Sequence, residues 1–457
     1  MKVILLHVIY IAATFTNGVN NNVKNSISKR ILAIALPSMG SSMIMILYNT
    51  VDLMWIGRFG KEAVASVTLA VSFYNMNYIL NEIFGVASMV LLTRRWGEGN
   101  HEEFQRIGRQ IAFYKFLSGL LLLLVTYPLS KDILLWMGSG KVTIDAAVAY
   151  YKWRALFLPF DFLLGTMSTV YRSIGDTKTL FLINTIWGSA NVVLDPIFMF
   201  TFHMGVVGSA LASGICETAA MFHGFIWAKK KWNIWVLKVE KPQLSLLKKI
   251  FKIGTPSLLD ALNWDVSRLI IVKIFSYIGV TATAVFGVYS RVLDISWMIA
   301  FAIEGAITTL VGQSLGEKNK EKALTVFKEG LKISMLIGAA IAAFIFTFAH
   351  PIAVLFAKEK DFLEASAEFL RYASFGFLFM PFMNVSYGTL IGGGRTIDML
   401  MISSIGIWAY KIPLLFITAH FTSNLNLLGV VYASFIVFSG MLGLYIVKKE
   451  KWLHVEV

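Results

Sequence analysis

The sequence predicts an all-α polytopic membrane protein, with twelve transmembrane helices in two six-helix lobes related by a pseudo-twofold axis. Three observations carry that reading. The chain of 457 residues is 57% hydrophobic and only 15% charged, with a mean hydropathy of +0.68. Apolar runs long enough to cross a bilayer recur along its whole length. One constant separation, 219 positions, relates residues of the first half to residues of the second. A soluble domain of this length does not carry so much apolar sequence.

In chain order, residues 1–30 read as an N-terminal extension. Their opening, MKVILLHVIYIAATFTNG, has a basic residue and a short apolar run but no obvious small-x-small cleavage site. It reads as an extension or interfacial segment rather than a cleaved signal. Spans then follow near 31–56, 64–93, 106–128, 143–171, 180–202 and 205–228, forming the first lobe over 31–228. A cytoplasmic linker over 229–249 leads into a second lobe over 250–447, with spans near 250–275, 282–312, 325–350, 363–391, 397–419 and 427–447. A tail over 448–457 completes the chain.

Basic residues orient the spans. With the N-terminus in the cytoplasm, internal segments hold 25 Lys and Arg, eight of them between Lys229 and Lys252, against 6 in external loops. Both termini are therefore expected in the cytoplasm of a plasma (inner) membrane protein. The net charge of +14 is explained by these loops and by anionic lipid, so no nucleic-acid partner is expected. Cys216, the single cysteine, excludes an internal disulfide framework and a multi-cysteine metal site.

The halves repeat. Pro37-Ser38 returns as Pro256-Ser257, Gly60 as Gly279, Gly97-Glu98 as Gly316-Glu317, and Gly175 and Thr177 as Gly394 and Thr396, each 219 positions on. Six spans is an even number, so both copies enter the membrane alike and the axis relating them lies along its normal. Asp52 and Asp195 have Ile271 and Leu414 at the matching positions, with Lys411 and Pro413 nearby, so the copies share a scaffold but not their acids.

Ionisable residues within spans are functional candidates by default, because a carboxylate at the centre of an apolar helix costs roughly 3 kcal/mol on insertion scales. Asp195 stands four residues after Asn191, on one helical face, and directly before Pro196. The bland alternative is a helix cap or a structural ion pair. Glu82, Asp161, Glu217, Glu304 and Lys411 also fall within spans, and most are expected to be paired. Glu82 and Glu304 come from corresponding helices and are the candidates for lining a cleft. Asp265 lies three residues from Arg268, and Asp294 three from Arg291, which suits structural pairs as well as a second-lobe coupling role.

The run ALPSMGSSMIMILYNTVDLMWIGRFGKEAVASVTLA, the NVVLDPIF segment, GVVGSALAS and TTLVGQSLGEKN resemble the multidrug and toxic compound extrusion (MATE) transporters, prokaryotic type, from about Lys29 to the last span. The resemblance implies a secondary antiporter that exports organic, often cationic compounds against H⁺ or Na⁺ by rocking two lobes. It implies no enzyme activity, no cofactor beyond the coupling ion, and a monomer working among membrane lipids. Carried over position by position, its cation site falls on Tyr48, Asp52, Asn191, Asp195 and Ser213; Ser213 keeps the hydroxyl of the family's usual Thr. Na⁺ is implied to be possible at Asp52, Asn191, Asp195 and Ser213, since it takes oxygen ligands. The same carboxylate pair suits H⁺, because two like charges in a low-dielectric site favour sharing a proton. An acidic position that some members carry in the seventh span holds Trp264, with Asp265 beside it and Asp260 one turn earlier.

A lipid-linked oligosaccharide flippase of a related superfamily is the alternative, and would be expected to place cationic residues where this chain has acids. A membrane-embedded enzyme is disfavoured by the seven scattered His residues and the lack of a Ser-His or metal cluster within the spans. A channel is disfavoured by the absence of a filter-like loop.

Overall fold

The structure, a computed structural model, describes residues 27–138, 141–356, 359–422 and 424–455. Most of the N-terminal extension therefore lies outside the described residues. The described chain is helical, with no strand among its elements. Helices α1 (Ile27–Gly57), α2 (Lys61–Gly97), α3 (His101–Met137), α4 (Lys141–Ala155), α5 (Leu158–Ile174), α6 (Thr177–Pro196) and α7 (Val206–Trp232) make up the first half. The second holds α8 (Leu244–Ile278), α9 (Val280–Gly316), α10 (Lys320–Thr347), α11 (Ala349–Val354), α12 (Lys360–Ser374), α13 (Met380–Gly392), α14 (Thr396–Ser404), α15 (Ile412–Phe421) and α16 (Leu425–Lys448).

Seven helical segments are long and apolar enough to cross a membrane, and two more spans are bent pairs, each turning by 44°. The remaining expected spans correspond to α4 with α5, to α7 and to α8, which carry internal polar residues such as Arg154, Asp161, Glu217 and Asp260. The span expected as one piece over 143–171 is in fact broken between α4 and α5. Pro159, at the start of α5, has no N–H to bond back to Ala155, so the α-ladder cannot run through. In the second half Pro381 stands likewise in the first turn of α13, after a 3₁₀ turn over Phe375–Leu378.

The duplication is visible in hydrogen bonds. Pro37 lies inside α1 and Pro256 inside α8, and each proline frees a backbone carbonyl in the turn before it. Thr177 Oγ1 donates to the Ile34 carbonyl at 2.9 Å; Thr396 Oγ1 donates to the Ile253 carbonyl at 2.7 Å. Helices α2 and α9 start after Gly60 (φ 98°) and Gly279 (φ 147°), where a side chain would be strained. Asn100 caps α3 by accepting from Glu103 N at 3.0 Å, and Asn319 caps α10 by accepting from Lys322 N at 2.9 Å. All these pairs sit at the 219-position offset.

Two compact units result. The first runs over Ala33–Phe251. It includes the connection after α7, which docks onto α3: Arg109 Nη1 lies 2.9 Å from Glu240, Gln110 Nε2 donates to the Lys241 carbonyl at 2.8 Å, and Val236 is buried against Gly108. The second unit starts at Lys252 and also takes in the first turns of α1, up to Leu32, where Ser28 Oγ donates to Glu329 at 2.7 Å. Its core is aromatic, with Phe275, Phe286, Tyr289, Phe369 and Tyr432 packed together.

Candidate cation-coupling site in the first unit

Three helices of the first unit bring the expected cation-site residues together. In α6, the four-residue spacing puts Asn191 and Asp195 on one face, and Asn191 Nδ2 donates to Asp195 Oδ1 at 3.3 Å. The same amide nitrogen donates to Ser213 Oγ of α7 at 3.2 Å. Asp52 of α1 accepts from Ser209 Oγ, also of α7, at 2.5 Å. The carboxyl groups of Asp52 and Asp195 face each other at hydrogen-bonding range. Asp195 is 0% exposed and Asn191 2%. Tyr48, one turn before Asp52, packs over Gly188, where a Cβ would come within 3.2 Å of its ring. Pro196 ends α6, and a wider π-turn over Ile197–Thr201 follows it, so the helix is irregular where the acid sits.

Two acceptor-only carboxylates cannot hydrogen-bond each other, so the Asp52–Asp195 contact calls for one proton or one cation between them. The set can hold either. Asn191 Oδ1 and Asp195 Oδ2 are buried with no hydrogen-bond partner, leaving two free acceptor oxygens in a wholly oxygen-donor set. Such a set fits Na⁺ as a transported ion. Among the described residues no group of three or more His, Cys, Asp or Glu could hold a metal.

Ser209 and Arg154 join these residues without having been candidates by sequence. Ser209 stands one turn before Ser213 on α7, and that i, i+4 spacing was the available signal. Arg154 sits inside an expected span. Its Nη1 lies 3.0 Å from Asp161 Oδ2, its Nη2 donates to Glu217 Oε2, and its guanidinium stacks 4.5 Å from the centre of the Tyr74 ring. Tyr74 OH donates to Asp161. Asp161 and Glu217 are thus paired, as expected for most intramembrane acids.

The other expected candidates lie elsewhere. Glu82 is exposed on α2 and interacts with Lys115 of α3 and Arg172 of α5. In the second unit, Glu304 of α9 senses Asp260 of α8, and both keep a buried carboxyl oxygen without a partner. Asp265 is exposed. Arg268, expected beside Asp265, reaches Asp294 instead at 3.1 Å, and Arg291 stands 3.9 Å from the same carboxylate. Asp294 of α9 comes within reach of Arg268 on α8 and takes its guanidinium, while Asp265 stays exposed. Lys411 is 3% exposed and ends a π-turn over Ile405–Lys411. Its ammonium lies 4.4 Å from the centre of Phe435, 5.0 Å from Trp264 and 5.8 Å from Tyr432. The rings stand in for a counter-ion.

Comparison with known proteins agrees with this architecture. The MatE family model matches residues 37–197 and again 256–417, so one model fits each half of the duplication. The chain is 25% identical over 420 residues to a probable multidrug resistance protein, YoeA, of Bacillus subtilis, covering 89% of this chain and 90% of the relative. It is 25% identical over 435 residues to a probable multidrug resistance protein, NorM, of Thermotoga maritima, covering 93% of each. Among solved structures, a MATE protein in the bent conformation superposes with a TM-score of 0.86 at 22% identity, covering 93% of this chain and 96% of that one, a likeness of fold. With two family matches that together span most of a multi-pass helical chain, this protein belongs to the MatE family of membrane transporters.

Proposed function

We propose that this protein is a multidrug exporter that expels organic, often cationic compounds in exchange for H⁺, with Asp52 and Asp195 as the coupling pair. The reading is carried by the contact between these two carboxyl groups, neither of which has a basic side chain bonded to it among the described residues, Asp195 being fully buried. A pair that must share a proton or give it up for a cation couples the two species by competition. The transported proton would enter from outside, repack or bend α1 around Pro37, and favour the state that releases the compound. Alternating access between two lobes is the mechanism the duplicated scaffold supports.

Na⁺ is a second reading, favoured by the two unpartnered oxygens, Asn191 Oδ1 and Asp195 Oδ2. A lipid-linked oligosaccharide flippase fits less well, since its pyrophosphate would meet this acidic pair. We place the protein in the plasma (inner) membrane with both termini in the cytoplasm, on the basic-residue bias of 25 to 6. It would act as a monomer, with organic small molecules and membrane lipids as partners and no nucleic acid.

The test is Asp195→Asn, which keeps one acceptor oxygen for Asn191 and removes the charge. Energised cells carrying this variant should lose efflux of a fluorescent organic cation at least tenfold, with the protein still in the membrane. Undiminished efflux would overturn the assignment.

A further inference from the structure

Helix α7 carries three polar residues at four-residue spacing, and each bonds a different partner. Ser209 donates to Asp52, Ser213 accepts from Asn191, and Glu217 accepts from Arg154. The first two belong to the coupling pair; the third belongs to a neighbouring cluster, whose Arg154 also acts on Asp52. In that cluster the carboxyls of Asp161 and Glu217 face each other at hydrogen-bonding range while both contact one guanidinium. Two carboxylates on one arginine leave a net charge of −1. Asp161 is 0% exposed, and its Oδ1 has no hydrogen-bond partner. Asp161 is wholly buried and Glu217 23% exposed, and a triad with one uncompensated negative charge and one orphaned carboxyl oxygen lacks one small cation; the facing carboxyls suit a proton.

We propose that Asp161 and Glu217, anchored by Arg154, form a second proton-binding pair that acts on the Asp52–Asp195 pair through α7. This rests on the proton-coupled reading above. Ser209 and Glu217 are eight residues apart, about 12 Å along the helix axis. Charges at that separation, in a medium of effective dielectric about 20, alter each other's ion occupancy roughly tenfold. A proton on the triad therefore weakens organic-cation binding in the same lobe, adding to the competition at Asp52 and Asp195. Every element packed around the triad contributes charge or hydroxyls. Tyr48 of α1 and Tyr78 of α2 face Glu217 and Arg154, Tyr74 of α2 bonds Asp161, Tyr150 of α4 faces Arg154, Asp52 and Asp195, and Cys216 beside Glu217 also faces Asp195 of α6. Lys115 of α3 is engaged with Glu82. None of these supplies a second positive charge to the triad.

The experiment measures binding of tetraphenylphosphonium to the purified full-length protein in detergent, without Na⁺, from pH 5.5 to 8.5. Wild type should bind more weakly as pH falls. Asp161→Asn, which fixes the triad in its neutral form, should match wild type at the acid end and bind about tenfold more weakly at the alkaline end. Glu217→Gln, whose amide oxygen still accepts from Arg154, should behave the same and serves if Asp161→Asn does not fold. Variants that track wild type at every pH overturn the second pair and leave the proton-coupled reading standing. Uniform weakening at every pH also overturns it, because that is structural damage. Wild-type binding that ignores pH refutes the proton-coupled reading itself, and the second pair with it.

Discussion

Arg154→Met tests the buried triad as a structural element. The guanidinium holds Asp161 at 3.0 Å, bonds Glu217, and lies over Tyr74 at 4.5 Å. Methionine fills the apolar part of that space but leaves two carboxyl groups facing each other, that of Asp161 wholly buried. Removing one partner of a buried ion pair costs about 3–5 kcal/mol, and the lost ring contact adds about 1 kcal/mol. The expected destabilisation is therefore about 4–6 kcal/mol at pH 8, where no proton is readily supplied to replace the cation. Unfolding by SDS titration in mixed micelles, followed by tryptophan fluorescence, reads it. The compensated variant Arg154→Met/Asp161→Asn/Glu217→Gln should recover most of the loss, since neutral amides can bond each other. If Arg154→Met unfolds within about 1 kcal/mol of wild type, the guanidinium is not the group that stabilises these acids.

Two further predictions concern the scaffold. Thr177→Val and Thr396→Val each remove one hydroxyl donor to a carbonyl one turn before a proline inside a helix, at 2.9 and 2.7 Å. Each should cost about 1 kcal/mol in the same titration, and unequal effects differing by more than about 1 kcal/mol would contradict their equivalence. At Gly119 a Cβ would lie 2.8 Å from Pro159 Cα and 2.9 Å from the Leu158 carbonyl, both backbone atoms. Gly119→Ala should therefore separate α3 from α5 and cost about 1–3 kcal/mol; a neutral effect would show that these helices can part without strain.

The repeat was legible because prolines, glycines and capping residues mark backbone geometry directly. Pro37 and Thr177 were matched to Pro256 and Thr396 by position alone, and the structure joins each proline's freed turn to its threonine by the same hydrogen bond. The pairs Tyr48–Asp52 and Asn191–Asp195 were legible as helical faces, since that needs only the 3.6-residue period. What periodicity could not supply is which helices meet. Ser209 bonds Asp52 across 157 positions and Arg154 reaches Glu217 across 63, contacts that no local pattern encodes. Arg268 illustrates the opposite error: sequence proximity suggested Asp265, but the neighbouring helix offers Asp294. The break between α4 and α5 was hidden because Leu158 and Phe160, on either side of Pro159, continue the apolar run.

In the proposed mechanism, coupling of export to an ion gradient falls to Asp52 and the fully buried Asp195. The most direct measurement is flux of a fluorescent organic cation through purified protein in liposomes, first under an imposed pH gradient and then under an imposed Na⁺ gradient at constant pH. The account predicts transport that follows the pH gradient and collapses in Asp195→Asn; transport that follows Na⁺ alone would move the coupling to the second ion. Transport under neither gradient, by intact and folded protein, would contradict the account.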